Sequence, residues 1–104
     1  MANLHRGDVD LELGSDRIPL RLTLGALAEI EAVFGANGLV DLGERLKRGQ
    51  IGARDLIVIL GAAARGAGGT LSDRAFANLV TAAAVPACVD ALARLFAQTF
   101  GPAP

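Results

Sequence analysis

The most constraining feature of this sequence is a change of hydrophobic period near Thr23. From Asp8 to Thr23 apolar and polar residues alternate: Val9, Leu11 and Leu13 against Asp8, Asp10 and Glu12, then Ile18, Leu20 and Leu22 against Arg17, Pro19 and Arg21. Strict alternation belongs to strands with one buried and one wet face, and Gly14, Ser15 and Asp16 between the two runs are turn residues. Beyond Thr23 the apolar spacing becomes that of helices. A chain that switches in this way is expected to be α+β, an N-terminal antiparallel β-hairpin followed by a compact bundle of about five helices.

Pattern and charge together suggest a register for the hairpin, about residues 8–23. Centring the turn on Ser15 and Asp16 pairs Leu13 with Ile18, Leu11 with Leu20 and Val9 with Leu22, and sets Asp10 against Arg21. Pro19 lacks a backbone donor and belongs at an edge. A lone hairpin is marginal in water, so its apolar face needs cover from the helices or from another chain.

The helices occupy about residues 24–100. Thr23 reads as an N-cap, Leu27, Ile30 and Phe34 share one helical face, and Gly35 stops the helix. A short second helix spans roughly Leu39 to Arg48, with Leu39, Leu42 and Leu46 inward and Arg45, Lys47 and Arg48 in its last turn, where the helix dipole favours cations. The third, about Ala53 to Arg65, is apolar almost all round and is expected at the centre. Gly66 to Gly69 ends it. Ser72 caps a fourth helix reaching about Ala83, and Pro86 suits the first position of a fifth that runs to Phe100. On that last helix Val89, Leu92, Phe96 and Phe100 form an apolar stripe, and Asp90 and Arg94 a solvated pair. Residues 101–104 read as a frayed tail.

A length of 104 residues makes residues 1–104 a single domain, large enough to bury about 60–70% of its unfolded surface without disulfide or metal. The core is Leu, Ala, Val and Ile, with four Phe and no Trp or Tyr, which suits close-packed helices. A net charge of −1 with interspersed signs gives neither a nucleic-acid footprint nor a polybasic membrane segment. Cys88 is the only cysteine, so no internal disulfide forms. Met1 to Asp10 shows no secretory h-region, and the longest apolar run, Leu56 to Ala64, is about half of a membrane span. The reading is of a cytoplasmic protein.

No catalytic constellation is visible, and no cofactor is expected. His5, the sole histidine, reads as a solvated residue near the chain end, and Cys88 as a small buried hydrophobe with no base to activate it. The Gly66–Thr70 stretch follows a helix rather than a strand and lacks the lysine of a phosphate loop. Asp8, Asp10 and Glu12 lie opposite arginines on a wet face, and no metal-ligand spacing appears. The Gly49–Gly52 break, with Arg45, Lys47, Arg48 and Arg54 nearby, invites a helix-turn-helix comparison. Its second helix would then offer Leu56, Ile57, Val58 and Ile59 to a groove, which cannot read base edges. A small DNA-binding regulator is therefore the remote alternative, and an enzyme is not expected.

The segments NLHRGDVDLELG (residues 3–14), PLRLTLGALAEIEAVFG (19–35), LGERLKRGQIGARDLIVILGAAARGAG (42–68) and VPACVDALARLFAQTFG (85–101) resemble a family encoded among the tail genes of bacterial gene transfer agents and related tailed phages and prophages. The resemblance covers nearly the whole chain and is strongest in LRLTLGALAEIEAVFG and ARDLIVILGAAARG. It implies a tail assembly chaperone that binds the tape-measure protein, keeps it soluble while the tail tube polymerises, and is absent from the mature particle. The tube protein itself is a further partner of such chaperones, through a frameshift-extended domain not visible in this chain. The same family also carries the label of tail tube protein, so a structural tube component is the alternative. Partner binding by a helical Ala/Leu surface points to Val40 on the second helix and to Ala87, Ala91 and Leu95 on the last, with self-association and the hairpin edges as further routes.

Overall fold

The structure, a computed structural model, describes residues 8–100. Strands β1 (Asp8–Leu13) and β2 (Asp16–Arg21) form the antiparallel hairpin. Helices α1 (Leu24–Phe34), α2 (Gly38–Lys47), α3 (Ala53–Gly66), α4 (Asp73–Leu79) and α5 (Val85–Phe100) follow, with a 3-10 turn at Ala82–Ala84 before the last. The expected α+β class and element order are present. His5 and the residues read as a frayed tail lie outside the described residues.

The hairpin register differs from the sequence expectation by two residues. Leu11 faces Ile18, Val9 faces Leu20, Asp10 faces Pro19 and Asp8 faces Arg21. The turn is Gly14–Ser15, with Gly14 at φ +63° and no non-glycine residue at positive φ among those described. Glycine at the first central position is the type II′ pattern, whose twist matches the strands on either side. The predicted register needed a longer loop. A shift of two keeps every side chain on its face, so Val9, Leu11, Leu20 and Leu22 are buried as the alternation requires. The cross-strand acid facing Arg21 is therefore Asp8 rather than Asp10, accepting from its Nε at 2.6 Å and Nη2 at 2.8 Å, while Arg17 pairs with Glu12 and Asp10.

The apolar face of the hairpin lies on two helices, β2 against α3 and β1 against α5. Helix α3 also packs on α1 and α4, and its residues from Asp55 to Ala64 are buried except for half-buried Ile57. It is the central helix, as its all-round apolarity implied. Thr23 Oγ1 accepts from Ala26 N–H at 3.1 Å and Ser72 Oγ from Ala75 N–H at 3.1 Å, the two expected N-caps. Gly35, at φ +90°, closes α1 through its N–H to the Glu31 carbonyl.

Two helical boundaries are corrected. Helix α4 stops at Leu79 rather than near Ala83, because the β-branched pair Val80–Thr81 adopts extended backbone. Helix α5 starts at Val85, which puts Pro86 second rather than first. Its buried face is Cys88, Ala91, Leu92 and Leu95, rotated from the predicted stripe, with Val89 and Phe96 half-buried and Phe100 57% exposed. Helix α5 packs on β1 and α3, and its buried face combines the small Cys88 and Ala91 with Leu92 and Leu95.

Two polar clusters tie the elements together. Asp55, 8% exposed, accepts from Arg45 Nη1 at 2.8 Å and from the Gly52 N–H at 3.0 Å, joining α2 to the start of α3. Arg65 donates to Glu29 at 2.5 Å, to Asp73 at 3.0 Å and to the Leu71 carbonyl at 2.9 Å, holding α1, α3 and α4 on one guanidinium.

Candidate partner-binding surfaces

The sequence-predicted partner residues separate. Val40 is 68% exposed and Ala87 is exposed, whereas Ala91 and Leu95 are fully buried in the core. The last two are thereby corrected: α5 turns them into the core, out of reach of a partner. Val40 and Ala87 lie on different faces and form no common site.

The groups weighed for chemistry are occupied structurally. Cys88 is 1% exposed, and burial pushes its thiol above the ordinary value near 9, away from the reactive thiolate. The amides of Ala67, Gly68 and Gly69 turn back onto the carbonyls of Ala63, Ala64 and Arg65, so the glycine-rich loop caps the C-terminus of α3, the end of a helix that repels anions. No group of three His, Cys, Asp or Glu able to hold a metal occurs among the described residues. The helix-turn-helix comparison places its recognition helix on α3, whose Leu56, Val58 and Ile59 are in the core. No single helix among the described residues is long and apolar enough to cross a membrane.

Among the described residues, three depressions bear on partner binding. Between β1 and α5 lies a polar one of about 550 Å³, lined by Asp8, Asp10, Glu12, Ala87, Asp90 and Arg94 among others. Arg94 spans it, paired with Asp90 at 2.9 Å and donating to the Asp10 carbonyl at 3.3 Å. Counting out from the two-residue turn, Asp10 and Pro19 form a non-hydrogen-bonded pair whose backbone groups point to the outer edges. Arg94 therefore occupies one outward carbonyl of the β1 edge. The β2 edge lacks a donor at Pro19, and the end of α3 sits against the Arg21 carbonyl, where Gly66 leaves no room for a Cβ.

The second depression is apolar, about 270 Å³, between α3, α4 and α5. Leu56, Ile57, Phe76, Val80, Val85 and Cys88 line it. Phe76 is 1% exposed and forms the floor, while Val85, 38% exposed, stands at the rim. Arg54 lies one turn before Ile57 and Arg74 one turn before Ala77, another lining residue. Both arginines are exposed, and they are the basic side chains without an ion pair among the described residues. This groove with cationic flanks was missed by sequence reasoning. Its one sequence signal is the β-branched Val80–Thr81 break, which separates α4 from α5 and opens the space.

The third, about 300 Å³, lies between α2 and the end of α5 and includes Leu39, Val40, Gly43, Phe96 and Phe100. Phe96 and Phe100 stack edge to face with centroids 5.6 Å apart.

A family model described as phage tail tube protein, GTA-gp10, matches residues 6–102. No curated protein and no solved structure matches the chain.

Proposed function

This chain belongs to the GTA-gp10 family of phage tail tube proteins, and from that premise we propose that it serves tail building as an assembly chaperone, binding the tape-measure protein and keeping it soluble in the cytoplasm. A phage-tail role comes with the family; the choice of chaperone rests on the fold. A tube closed by β-sheets needs subunits whose sheet edges are free to pair. Here the described sheet has two six-residue strands, with Arg94 bonded to the Asp10 carbonyl on one edge and Pro19 and Gly66 at the other. The surface suited to a partner is helical. An apolar groove flanked by unpaired arginines accepts the apolar side chains of an amphipathic helix whose flanks carry Asp or Glu.

A second reading, a structural component of the tube, is favoured by the family's own description. Coexpression with the tape-measure protein separates the two. The chaperone reading expects a soluble complex, a tape-measure protein that aggregates when made alone, and purified particles free of this chain. Rings of this chain, or its recovery in mature particles, would establish the tube component instead. Within the complex, Val85→Asp abolishes capture without changing the helical content. Arg54→Glu and Arg74→Glu each weaken it by a few-fold, the range of about 0.5–1 kcal/mol for exposed charge contacts.

A further inference from the structure

We infer that α4 is a flap over the apolar groove, opening as a unit while the rest of the fold stays closed, and that a partner helix enters the groove through this opening. The opening itself rests on the fold; its use by the tape-measure protein rests on the function proposed above.

Helix α4 is held at two points. It has seven residues, too few for a helix to persist by itself, and it packs on α3. Phe76, 1% exposed, is its one buried residue and anchors it in the core. The second hold is Arg65 of α3, whose guanidinium donates to the Leu71 carbonyl just before α4 and to Asp73 in its first turn. Gly61 of α3 makes room for this latch, since a Cβ there would lie 2.5 Å from Asp73 Oδ1. A glycine in the buried middle of the central helix lowers helix stability, and here it leaves the space that the carboxylate takes.

The segments on either side of α4 can absorb a swing. The glycine-rich loop of residues 66–69 precedes it, and the extended Val80–Thr81 pair follows it. A short element with one buried side chain and a break at each end opens at a lower free energy than the whole molecule. What the opening uncovers is apolar. Phe76 is the floor of the groove, whose volume of about 270 Å³ is small against the roughly 300–1,000 Å³ of pockets that bury a ligand. When α4 swings out, the ring leaves the groove that Leu56, Ile57 and Cys88 also line, and deepens it by the volume of a phenyl group. Arg74 travels with α4, so reclosure brings this cation onto the acidic flank of a helix seated there.

Cys88, the chain's only cysteine, lines the same groove at 1% exposed and so reports on the flap. The test is the rate at which a thiol reagent labels Cys88 in the purified full chain, from zero urea up to the unfolding transition. Below the transition the rate should exceed what global unfolding allows and vary weakly with urea, because opening α4 exposes little surface. Asp73→Asn loosens a partly exposed ion pair and should speed this low-urea labelling by about two- to five-fold. Gly61→Ala should speed it too, since its methyl displaces only the end of the Asp73 side chain and leaves the backbone in place. Both variants should capture the tape-measure protein faster, in proportion to their labelling. Labelling that follows global unfolding at every urea concentration overturns the inference. Low-urea labelling that neither variant changes also overturns it, because access to Cys88 then comes from the first turn of α5. So does faster labelling without faster capture, since the partner then enters by another route. Labelling as expected in a chain that captures no tape-measure protein in any form leaves the flap standing and removes the function proposed above.

Discussion

Cys88 shows how burial writes a pH dependence into one residue. Its thiol sits among core side chains at the start of α5, and loss of hydration raises its pKa above the ordinary value near 9. The unfolded chain ionises the thiol first, so the stabilising preference for the neutral form is complete below the unfolded pKa and is lost as pH rises through the folded one. With no tyrosine in the chain, few other groups obscure this alkaline arm. Urea midpoints of the wild type are expected to stay level to about pH 8 and then fall. In Cys88→Ala the midpoint is lower throughout, and this component of the alkaline fall is absent. A thiol reagent applied to the folded wild type should react slowly until denaturant opens the core.

At the scale of elements, the approach of α3 to β2 depends on Gly66. A Cβ at that position would overlap the Arg21 carbonyl oxygen and lie 3.1 Å from Thr23 Oγ1 and 3.3 Å from Ala26 Cβ. Gly66→Ala should cost about 1–3 kcal/mol, the range for overpacking, and lower the melting temperature accordingly. Gly25→Ala is the control. In α1 its new methyl meets only Thr23 Oγ1 at 3.8 Å, so helix propensity should raise stability by about 0.5–1 kcal/mol. Thermal unfolding of the two variants tests both signs.

The same elements show what the sequence made legible. Alternation assigned the two faces of the hairpin correctly, because period two leaves a side chain no third direction. It could not choose between registers two residues apart, which bury the same set, and the backbone of Gly14 made that choice. Caps at Thr23 and Ser72 were readable because a hydroxyl before an apolar run serves one local purpose. The rotation of α5 was not. Periodicity favours large side chains as the inward face, whereas Ala91 faces inward on a helix that packs on both β1 and α3. Val40 stood out from sequence and is exposed. The apolar groove, assembled from three helices and the turn before the last, had no local signature beyond Val80–Thr81.

Across the whole molecule, a single apolar cluster runs from Val9 and Leu20 in the hairpin through α3 to Leu92 and Leu95 in α5. Helix α3 packs on β2, α1, α4 and α5, so removing it would leave each of them without its main support. The chain should therefore unfold in one cooperative step. Far-UV circular dichroism, near-UV signals from its phenylalanines and the exchange of the most protected α3 amides are expected to give one common free energy at a given concentration. A hairpin that melts separately from the helices would contradict the single-core description.

The partial cover of both hairpin edges has a further consequence for a small, apolar-rich protein. Amyloid-like growth starts from a row of unsatisfied backbone donors and acceptors on which another chain can template itself. Here Arg94 on the Asp10 carbonyl, the missing donor at Pro19 and the end of α3 against the Arg21 carbonyl interrupt that row on either side. Overproduction of the folded chain should consequently yield little fibril, and Pro19→Thr, which restores the missing donor, should yield more, as thioflavin fluorescence would show.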